Sequence, residues 1–122
     1  MGPHVAQFTL DSVGSAGVVA APTAGATVTW LQAPQNGRYA VQITYGYEPG
    51  GIIPGPQTKV NNLRLQVDGT SVSSLTHLGS VSATYAATVI LTVTAANWIS
   101  LNVISPDAGS RYVGGLILSK LG

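Results

Sequence analysis

The chain lacks cysteine entirely and carries very little charge. Its 122 residues include no Cys, five Lys or Arg and four Asp or Glu, so charged residues make up 7% and the formal net charge is +1. Without Cys, disulfides, thiolate metal sites and a cysteine nucleophile are excluded. Without a basic run, the electrostatic footprint of nucleic-acid binding is missing. Typical soluble domains are about 25% charged, so Thr, Ser, Asn, Gln and Gly must cover this surface.

Long hydrophobic runs and helical periodicity are missing too. No apolar run approaches the ~18 residues of a membrane span, and no segment keeps an apolar stripe at helical spacing for three turns. No signal peptide is recognised; residues 1–3, within "MGPH", are interpreted as a vector-derived remnant, which leaves room for a native signal removed upstream. Hydrophobic residues still make up 45%, enough for one core. We therefore expect a single domain over 4–122 and no membrane partner.

What the sequence does contain is a period of two. In "GRYAVQITY", Tyr39, Val41, Ile43 and Tyr45 alternate with Arg38, Gln42 and Thr44. The alternation recurs at Leu63, Leu65 and Val67, at Val89, Leu91 and Val93, and at Ile99, Leu101 and Val103. Turn residues separate nine predicted strands, near 4–13, 17–21, 26–33, 37–47, 61–68, 71–77, 84–94, 97–104 and 112–120. The pattern predicts an all-β antiparallel sandwich.

The stretch "YGYEPGGIIPGPQTKVNNL" contains the longest connection in this series. If successive strands run antiparallel, the 48–60, 78–83 and 105–111 loops share one end of the sandwich, and the Asp68–Gly69 turn lies at the other. Long loops grouped on a rigid scaffold commonly carry binding sites. We therefore interpret the stretch as a loop within the domain and not as a linker. Its Ile52 and Ile53 are expected to plug the core, with an apolar contact patch as the alternative.

Four segments resemble a known family. "ATVTWLQAPQNGRYAVQITYGY", "NNLRLQVDGTSV", "TYAATVILTVTAANWISLNV" and "GSRYVGGLILSK" are similar, in this order over 4–120, to carbohydrate-binding module families 6 and 35. The resemblance implies a galactose-binding-like jelly-roll sandwich that binds an oligo- or polysaccharide without catalysis. It also implies a secreted, extracellular setting and attachment to a larger polysaccharide-acting enzyme such as a glycoside hydrolase.

The predicted ligand-binding residues come from this resemblance and from sugar chemistry. The resemblance points to Tyr45, Tyr85, Asp107, Arg111 and Tyr112. Tyr47 and Glu48 are added because a glycan stacks its C–H face on an aromatic ring, while carboxylates bind its hydroxyls. For the tyrosines the alternative is core packing: it is as probable as binding for Tyr45 and Tyr47, and the more common role for Tyr85 and Tyr112.

The resemblance also raises a structural calcium. The families often hold one with a Glu in the first strand and an Asp in the last, where this chain has Gln7 and Gly114 or Gly115. Gln offers one neutral oxygen and Gly only its carbonyl, and Ca²⁺ prefers carboxylates. We therefore predict no cofactor or metal, and calcium rests on the resemblance alone.

The two tryptophans are given other roles. Trp30 shares the parity of Ala26 and Val28, which predicts a core position. Trp98 follows the "TAAN" turn on the face opposite Ile99, so we expect partial exposure. It either forms a second sugar platform or covers the other sheet, and covering is favoured.

Catalysis is not expected. The carboxylates are Asp11, Glu48, Asp68 and Asp107, of which only Glu48 and Asp107 are placed at one end, and glycoside hydrolysis needs a flanking pair. Asp107 is interpreted as the ion-pair partner of Arg111. The alternative function is a structural or adhesion jelly-roll module, which would assemble with proteins or surfaces through Trp98 and Ile52–Ile53.

Overall fold

The structure of the protein is a computed structural model that describes residues 4–9, 12–50, 59–78, 83–106 and 109–121, with side chains described over 12–50, 62–76, 84–106 and 109–121. Nine strands lie within these ranges: β1 (His4–Thr9), β2 (Ser12–Ala20), β3 (Thr27–Gln32), β4 (Gly37–Glu48), β5 (Lys59–Val67), β6 (Thr70–Leu78), β7 (Ala83–Val93), β8 (Trp98–Val103) and β9 (Arg111–Lys120). None of the described residues forms a helix that could cross a membrane.

The strands form two antiparallel sheets. The first, sheet A, has the order β1-β2-β9-β4-β7, and the second, sheet B, has the order β3-β8-β5-β6. Neighbouring strands within the two sheets form seven pairs, and all seven are antiparallel. The buried hydrophobic cluster draws residues from both sheets. The predicted all-β antiparallel sandwich is therefore confirmed.

The alternation in β4 positions the core of sheet A. Tyr39, Val41, Ile43, Tyr45 and Tyr47 are each at most 5% exposed. They face the buried side chains of β5 and β8, which are Leu63, Leu65, Ile99, Leu101 and Val103, each 0% exposed. Full burial of one such aliphatic side chain stabilises the fold by about 1.5–3 kcal/mol. The alternation therefore places only every second residue of these strands on an outer face of the sandwich.

Strand β2 differs from the sequence-based expectation. The predicted break between 4–13 and 17–21 is wrong, because β2 runs without interruption and pairs with β9 from Ser12↔Ser119 to Ala20↔Arg111. One of its small residues serves a close approach between the sheets. A Cβ atom at Gly17 would lie 2.0 Å from the carbonyl oxygen of Val28 in β3. Only glycine fits at this crossing.

Strand β3 contains a bulge that reverses its parity. Its register with β8 passes from Thr27↔Asn102 directly to Thr29↔Leu101, so one residue of β3 is extra. Val28 and Thr29 are consequently both buried, and Leu31 follows them inward. Trp30 therefore points outward. Its predicted core position is wrong, since a one-residue shift exchanges the two faces of a strand.

The strand ends confirm how the long connections are placed. Tyr47 pairs with Ala83 and Glu48 with Arg111, so the end of β4 lies beside the starts of β7 and β9. The 48–60, 78–83 and 105–111 connections therefore share one end, which we call the loop end. Ile52, Ile53 and Asp107 lie outside the described residues. At the opposite end, Asp68 and Gly69 have φ values of 48° and 82°, as a tight hairpin turn of two left-handed residues requires.

Candidate functional site

A groove of about 590 Å³ crosses the outer face of sheet A next to the loop end. We call it the loop-end groove; its outward-facing lining is Ala16, Thr44, Gly46, Glu48, Thr84, Arg111, Val113 and Gly115. Neighbouring positions on β4 and β9 explain its shape, since Thr44 is paired with Gly115 and Gly46 with Val113. Two glycines on the outer face leave the backbone open as a floor.

The rim of the groove is an exposed ion pair. Arg111 Nη1 lies 3.6 Å from Glu48 Oε1, and the two side chains are 44% and 59% exposed. They stand opposite each other on adjacent strands. An exposed pair of this kind contributes at most about 1 kcal/mol to stability, so both groups remain available to a ligand. Arg111 was expected to pair with Asp107, which lies outside the described residues; the described partner is Glu48.

Tyr47 and Tyr112 lie directly beneath this rim, inside the core. They pair across β4 and β9 with ring centroids 5.2 Å apart, and they are 1% and 0% exposed. Asn62 Nδ2 donates to the Tyr112 hydroxyl at 2.5 Å, and Asn62 Oδ1 accepts from the Ser105 N–H at 2.6 Å. Neither ring has a face open to solvent. The predicted direct sugar contact by these two residues is corrected: they hold the loop end together from within.

Tyr45 and Tyr85 form a second tyrosine pair. Their rings stack with centroids 5.2 Å apart at 16°, and the Tyr45 hydroxyl donates to the Thr76 carbonyl of β6. Burial raises the pKa of the Tyr45 hydroxyl above its ordinary value, and the nearby Tyr85 raises it further. Tyr45 is only 5% exposed, so core packing describes it. Tyr85 is half-buried against the core, and a ligand contact there stays a prediction.

The outer face of sheet B carries a second groove, of about 580 Å³. We call it the tryptophan face; its lining is Thr27, Trp30, Gln66, Asp68, Gly69, Trp98, Ser100 and Asn102. The indoles of Trp30 and Trp98 stack with centroids 4.2 Å apart at 18°. Trp98 is 45% exposed, which confirms its expected partial exposure. Sequence reasoning missed Trp30 because no residue type marks the bulge before it.

Hydrogen bonds hold the polar groups around the indoles. Asn102 Nδ2 donates to Thr27 Oγ1 at 2.8 Å, and Ser100 Oγ donates to Asn102 Oδ1 at 2.6 Å. Asp68 Oδ1 accepts from the backbone N–H of Trp98 at 2.8 Å, and its Oδ2 accepts from Asn97 Nδ2 at 2.6 Å. The turn at one end and the amide at the other therefore fix the strand segment that carries the indoles.

The described residues offer neither a metal cluster nor a carboxylate pair. Among them, no group of three or more His, Cys, Asp or Glu could hold a metal ion. Of the two last-strand positions that the resemblance gives for calcium, a Cβ on Gly114 would lie 2.6 Å from Leu101 Cδ2 and a Cβ on Gly115 would lie 3.1 Å from Thr44 Oγ1. The absence of a bound calcium stays a prediction. Of the two carboxylates whose side chains are described, Glu48 lies at the loop end and Asp68 at the other end. They do not flank a common site.

Comparison with known proteins gave matches among solved structures. No protein-family model and no curated protein matches the chain. The chain is similar to a carbohydrate-binding module, CBM36, in complex with calcium and xylotriose, with 18% identity over 96% of this chain and 93% of that one and a TM-score of 0.49. It is also similar to the native structure of a family 35 carbohydrate-binding module from Clostridium thermocellum, with 14% identity over 99% and 100% of the two chains and a TM-score of 0.48. Both likenesses span nearly the whole chain at low identity, and the calcium and xylotriose belong to that first complex.

Proposed function

We propose that this chain is a non-catalytic carbohydrate-binding module that binds an oligo- or polysaccharide in the loop-end groove. One observation carries the proposal: a glycine-floored groove of about 590 Å³ ends at an exposed carboxylate and guanidinium. Its size falls in the range of about 300–1,000 Å³ usual for small-molecule sites. The weak charge and the absence of Cys in the sequence, and the family resemblance of its motifs, support the same function.

The groove suits a polyhydroxylated ring. A sugar hydroxyl can donate to Glu48 while a neighbouring hydroxyl accepts from Arg111, and such charge-assisted hydrogen bonds are stronger than neutral ones. At 3.6 Å the two side chains do not form a close hydrogen bond with each other, so they lose little by turning to a ligand. Gly46 and Gly115 let the ring lie against the backbone, and Thr44 adds a hydroxyl at its edge.

The non-catalytic part of the proposal rests on the carboxylates. Within the described residues, Glu48 is the single carboxylate of the groove. Glycoside hydrolysis uses two carboxyl groups, one on each side of the scissile bond. We extend the proposal to a secreted module that targets an attached polysaccharide-acting enzyme to its glycan, as the resemblance implies.

Retention on immobilised polysaccharides tests this function. The wild-type chain is run in affinity gels containing xylan, galactan, mannan or mixed-linkage glucan, beside the double variant Glu48→Gln/Arg111→Gln. We expect retention by at least one polymer and roughly tenfold weaker binding by the double variant, because two charge-assisted hydrogen bonds are lost. Gln42→Ala is the matched control, since Gln42 is exposed on the same strand outside the groove. Absence of retention on every polymer would contradict the proposal, as would an unaffected double variant.

A second candidate function is a structural or adhesion module, and one observation favours it. Val18, Ile90, Val113 and Ile117 on sheet A are between 36% and 50% exposed, and Val18 and Val113 are paired neighbours. Exposed apolar side chains on one sheet can mark a protein contact. Light scattering decides between the two: a stable oligomer that Ile117→Gln dissociates would favour assembly, and a monomer would favour the binding module.

A further inference from the structure

We propose that the outer edge of strand β7 is a dimerisation site, at which β7 of a second copy of this chain pairs antiparallel and joins the two five-stranded sheets into one. Among the described strands, β7 pairs with β4 alone and forms one end of sheet A. In an antiparallel ladder every second residue directs its N–H and C=O away from the neighbouring strand. Such a row of backbone groups is a template for another strand.

The other three sheet edges have features that oppose such pairing. Strand β1 has six residues and a register shift between Gln7 and Thr9, and β3 has six residues and the bulge before Thr29. The ladder of β6 with β5 is interrupted twice, before Leu63 and before Gln66. Short strands and bulges are the usual devices that keep sheet edges from associating.

Strand β7 has none of these devices. Its eleven residues, "ATYAATVILTV", include no charged residue, no Gly and no Pro. They pair with β4 in one unbroken register, from Gly37↔Val93 to Tyr47↔Ala83. Its Thr, Val, Ile and Tyr residues favour the extended backbone. A long, regular and uncharged edge of this kind associates with another strand unless something covers it.

The inward side chains of β7 are left half-covered by the sandwich. Val89 and Leu91 are only partly buried against the core, whereas Val41 and Tyr39, their neighbours on β4, are at most 1% exposed. Position at an edge does not explain this difference, since Leu31 of the edge strand β3 is 1% exposed. A second copy that continues sheet A would cover the two side chains of β7 and remove their remaining apolar surface from water.

Strand β7 is complementary to a second copy of itself. Residues directly opposite each other in an antiparallel pair share a face of the sheet, so a two-fold axis perpendicular to the sheet passes through a residue. Pairing over the full length of the strand puts that axis at Thr88, the middle of its eleven residues. Val89 then meets Ala87 of the second copy on the inner face. On the outer face Ile90, which is 50% exposed, meets Ala86 of the second copy.

The size and charge of the contact determine its expected strength. A strand of eleven residues is about 37 Å long. Pairing along this length, with the side chains of both faces, removes roughly 1,000 Å² from solvent over the two copies, near the lower limit of a specific interface. The formal net charge of +1 makes two copies repel each other very little. We therefore expect a reversible dimer with a dissociation constant on the order of 10 μM.

The pairing has a consequence for the loop-end groove. The start of β7 at Ala83 lies beside the loop end, so two antiparallel copies direct their loop ends in opposite directions. Both grooves then open on one continuous outer face. Such a dimer can hold two glycan chains, or two segments of one chain, with higher avidity than a single module. This consequence rests on the proposed function, whereas the pairing itself does not.

Sedimentation velocity between about 5 μM and about 1 mM tests the dimer. The wild type should shift from its monomer mass of 12.4 kDa toward twice that mass as its concentration rises. Thr88→Lys puts two ammonium groups opposite each other at the axis, and at low salt it should raise the dissociation constant roughly tenfold. High salt should reduce this loss. Ala86→Lys/Ile90→Lys puts like charges opposite each other at two places and should prevent dimerisation over the whole range.

Gln42→Lys is the matched control. Gln42 is exposed on the same face and stands opposite Thr88, one strand in from the edge. There the two ammonium groups are about 15 Å apart, beyond the Debye length of about 8 Å at physiological salt, so the dissociation constant should change less than about twofold. Equal weakening by Gln42→Lys would overturn the edge pairing, as would a dimer that Ile117→Gln dissociates and Thr88→Lys does not. Thermal melts show that each variant is folded.

Hydrogen exchange locates the contact on the chain. In the wild type, the amides of every second residue of β7 should exchange roughly tenfold more slowly at about 1 mM than at about 5 μM. The amides of β4, which is paired on both sides, should show no such dependence, and neither should β7 in Ala86→Lys/Ile90→Lys. Protection of β7 at every concentration would show that the edge is covered within one chain and would overturn the proposal.

A chain that stays monomeric at every concentration would overturn it as well. Neither result decides the proposed function, because Thr88 lies outside the lining of the loop-end groove. Retention of Thr88→Lys on the polysaccharide gels therefore tests the groove in a chain that does not dimerise at the concentrations used.

Discussion

The loop-end groove and the tryptophan face occupy the outer faces of the two sheets, and they are made of opposite kinds of residue. The groove is floored by Gly46 and Gly115 under an exposed ion pair. The tryptophan face presents two stacked indoles among amides and hydroxyls. In sheet A the large aromatics of β4 and β9 point inward and shape the surface from behind, whereas in sheet B the indoles point outward and are the surface. The two faces differ because the alternation along the strands directs the aromatic side chains inward in sheet A and outward in sheet B.

The largest expected effect on stability comes from Gly17→Ala, the first of two matched glycine substitutions. Gly17→Ala places a Cβ 2.0 Å from the Val28 carbonyl of β3, the strand that carries Trp30, and the clash is with backbone. We expect a loss of about 3 kcal/mol in the free energy of unfolding by urea denaturation.

Gly115→Ala is the matched partner. Its Cβ would lie 3.1 Å from the side-chain Oγ1 of Thr44, which can rotate away, so we expect a loss below about 1 kcal/mol. The added methyl narrows the groove, and sugar retention should weaken. Equal stability losses in the two variants would contradict the assignment of Gly17 to a close contact between sheets.

Tyr112→Phe tests how the loop end is held. Removing the hydroxyl leaves Asn62 Nδ2, in a residue 4% exposed, without this acceptor, and we expect a cost of about 1–2 kcal/mol. Hydrogen exchange at the Ser105 N–H, which Asn62 accepts, should become faster. Tyr39→Phe is the control at the opposite end, where the Tyr39 hydroxyl donates to the Gln35 carbonyl at 2.9 Å; it should leave Ser105 exchange unchanged.

A double-mutant cycle on Trp30 and Trp98 measures the stack itself. Rings 4.2 Å apart at 18° should show a coupling of about 1 kcal/mol between Trp30→Ala and Trp98→Ala in the free energy of unfolding. Circular dichroism gives an independent signal, because coupled indole transitions disappear in either single variant. Additive stability losses with an unchanged spectrum would show that the indoles do not stack in solution.

The smallest effect on stability is expected at the rim of the groove. Arg111→Gln removes an ion pair whose members are 44% and 59% exposed, so the free energy of unfolding should change by less than about 0.5 kcal/mol. The same variant should weaken sugar binding, and this separation of the two measurements distinguishes a ligand-facing pair from a structural one. A stability loss as large as that of Tyr112→Phe would argue for a structural role.

Much of this architecture could be predicted from the sequence, because local patterns determine it. The alternation of apolar and polar residues was sufficient to predict that Tyr39, Val41, Ile43 and Tyr45 point inward. The tolerance of Asp and Gly for positive φ was sufficient to predict the Asp68–Gly69 turn. Antiparallel order then placed the long connections at one end. These features depend on neighbours in the chain and so appear in the sequence.

The site could be predicted less well, because it depends on contacts between distant strands. Tyr47 and Tyr112 were predicted to line the binding site. However, β4 and β9 stay paired as far as Glu48↔Arg111, and both rings lie in the core. The position of Trp30 depends on how β3 registers with β8. Glu48 and Arg111 were predicted as site residues, but their pairing follows from a cross-strand register that no local motif encodes.

The bulge in β3 has a consequence at the level of the coding sequence. Its extra residue is accommodated between Thr27 and Thr29, so an in-frame deletion of the Val28 codon would restore regular pairing without changing any other amino acid. Thr27, Trp30 and Leu31 would keep their places relative to β8, while the inward side chain that Val28 now supplies would be lost. One extra residue in β3 is therefore enough to combine an outward tryptophan with an apolar residue at the close contact to Gly17, and the length of β3 is as much a determinant of the tryptophan face as the tryptophan itself.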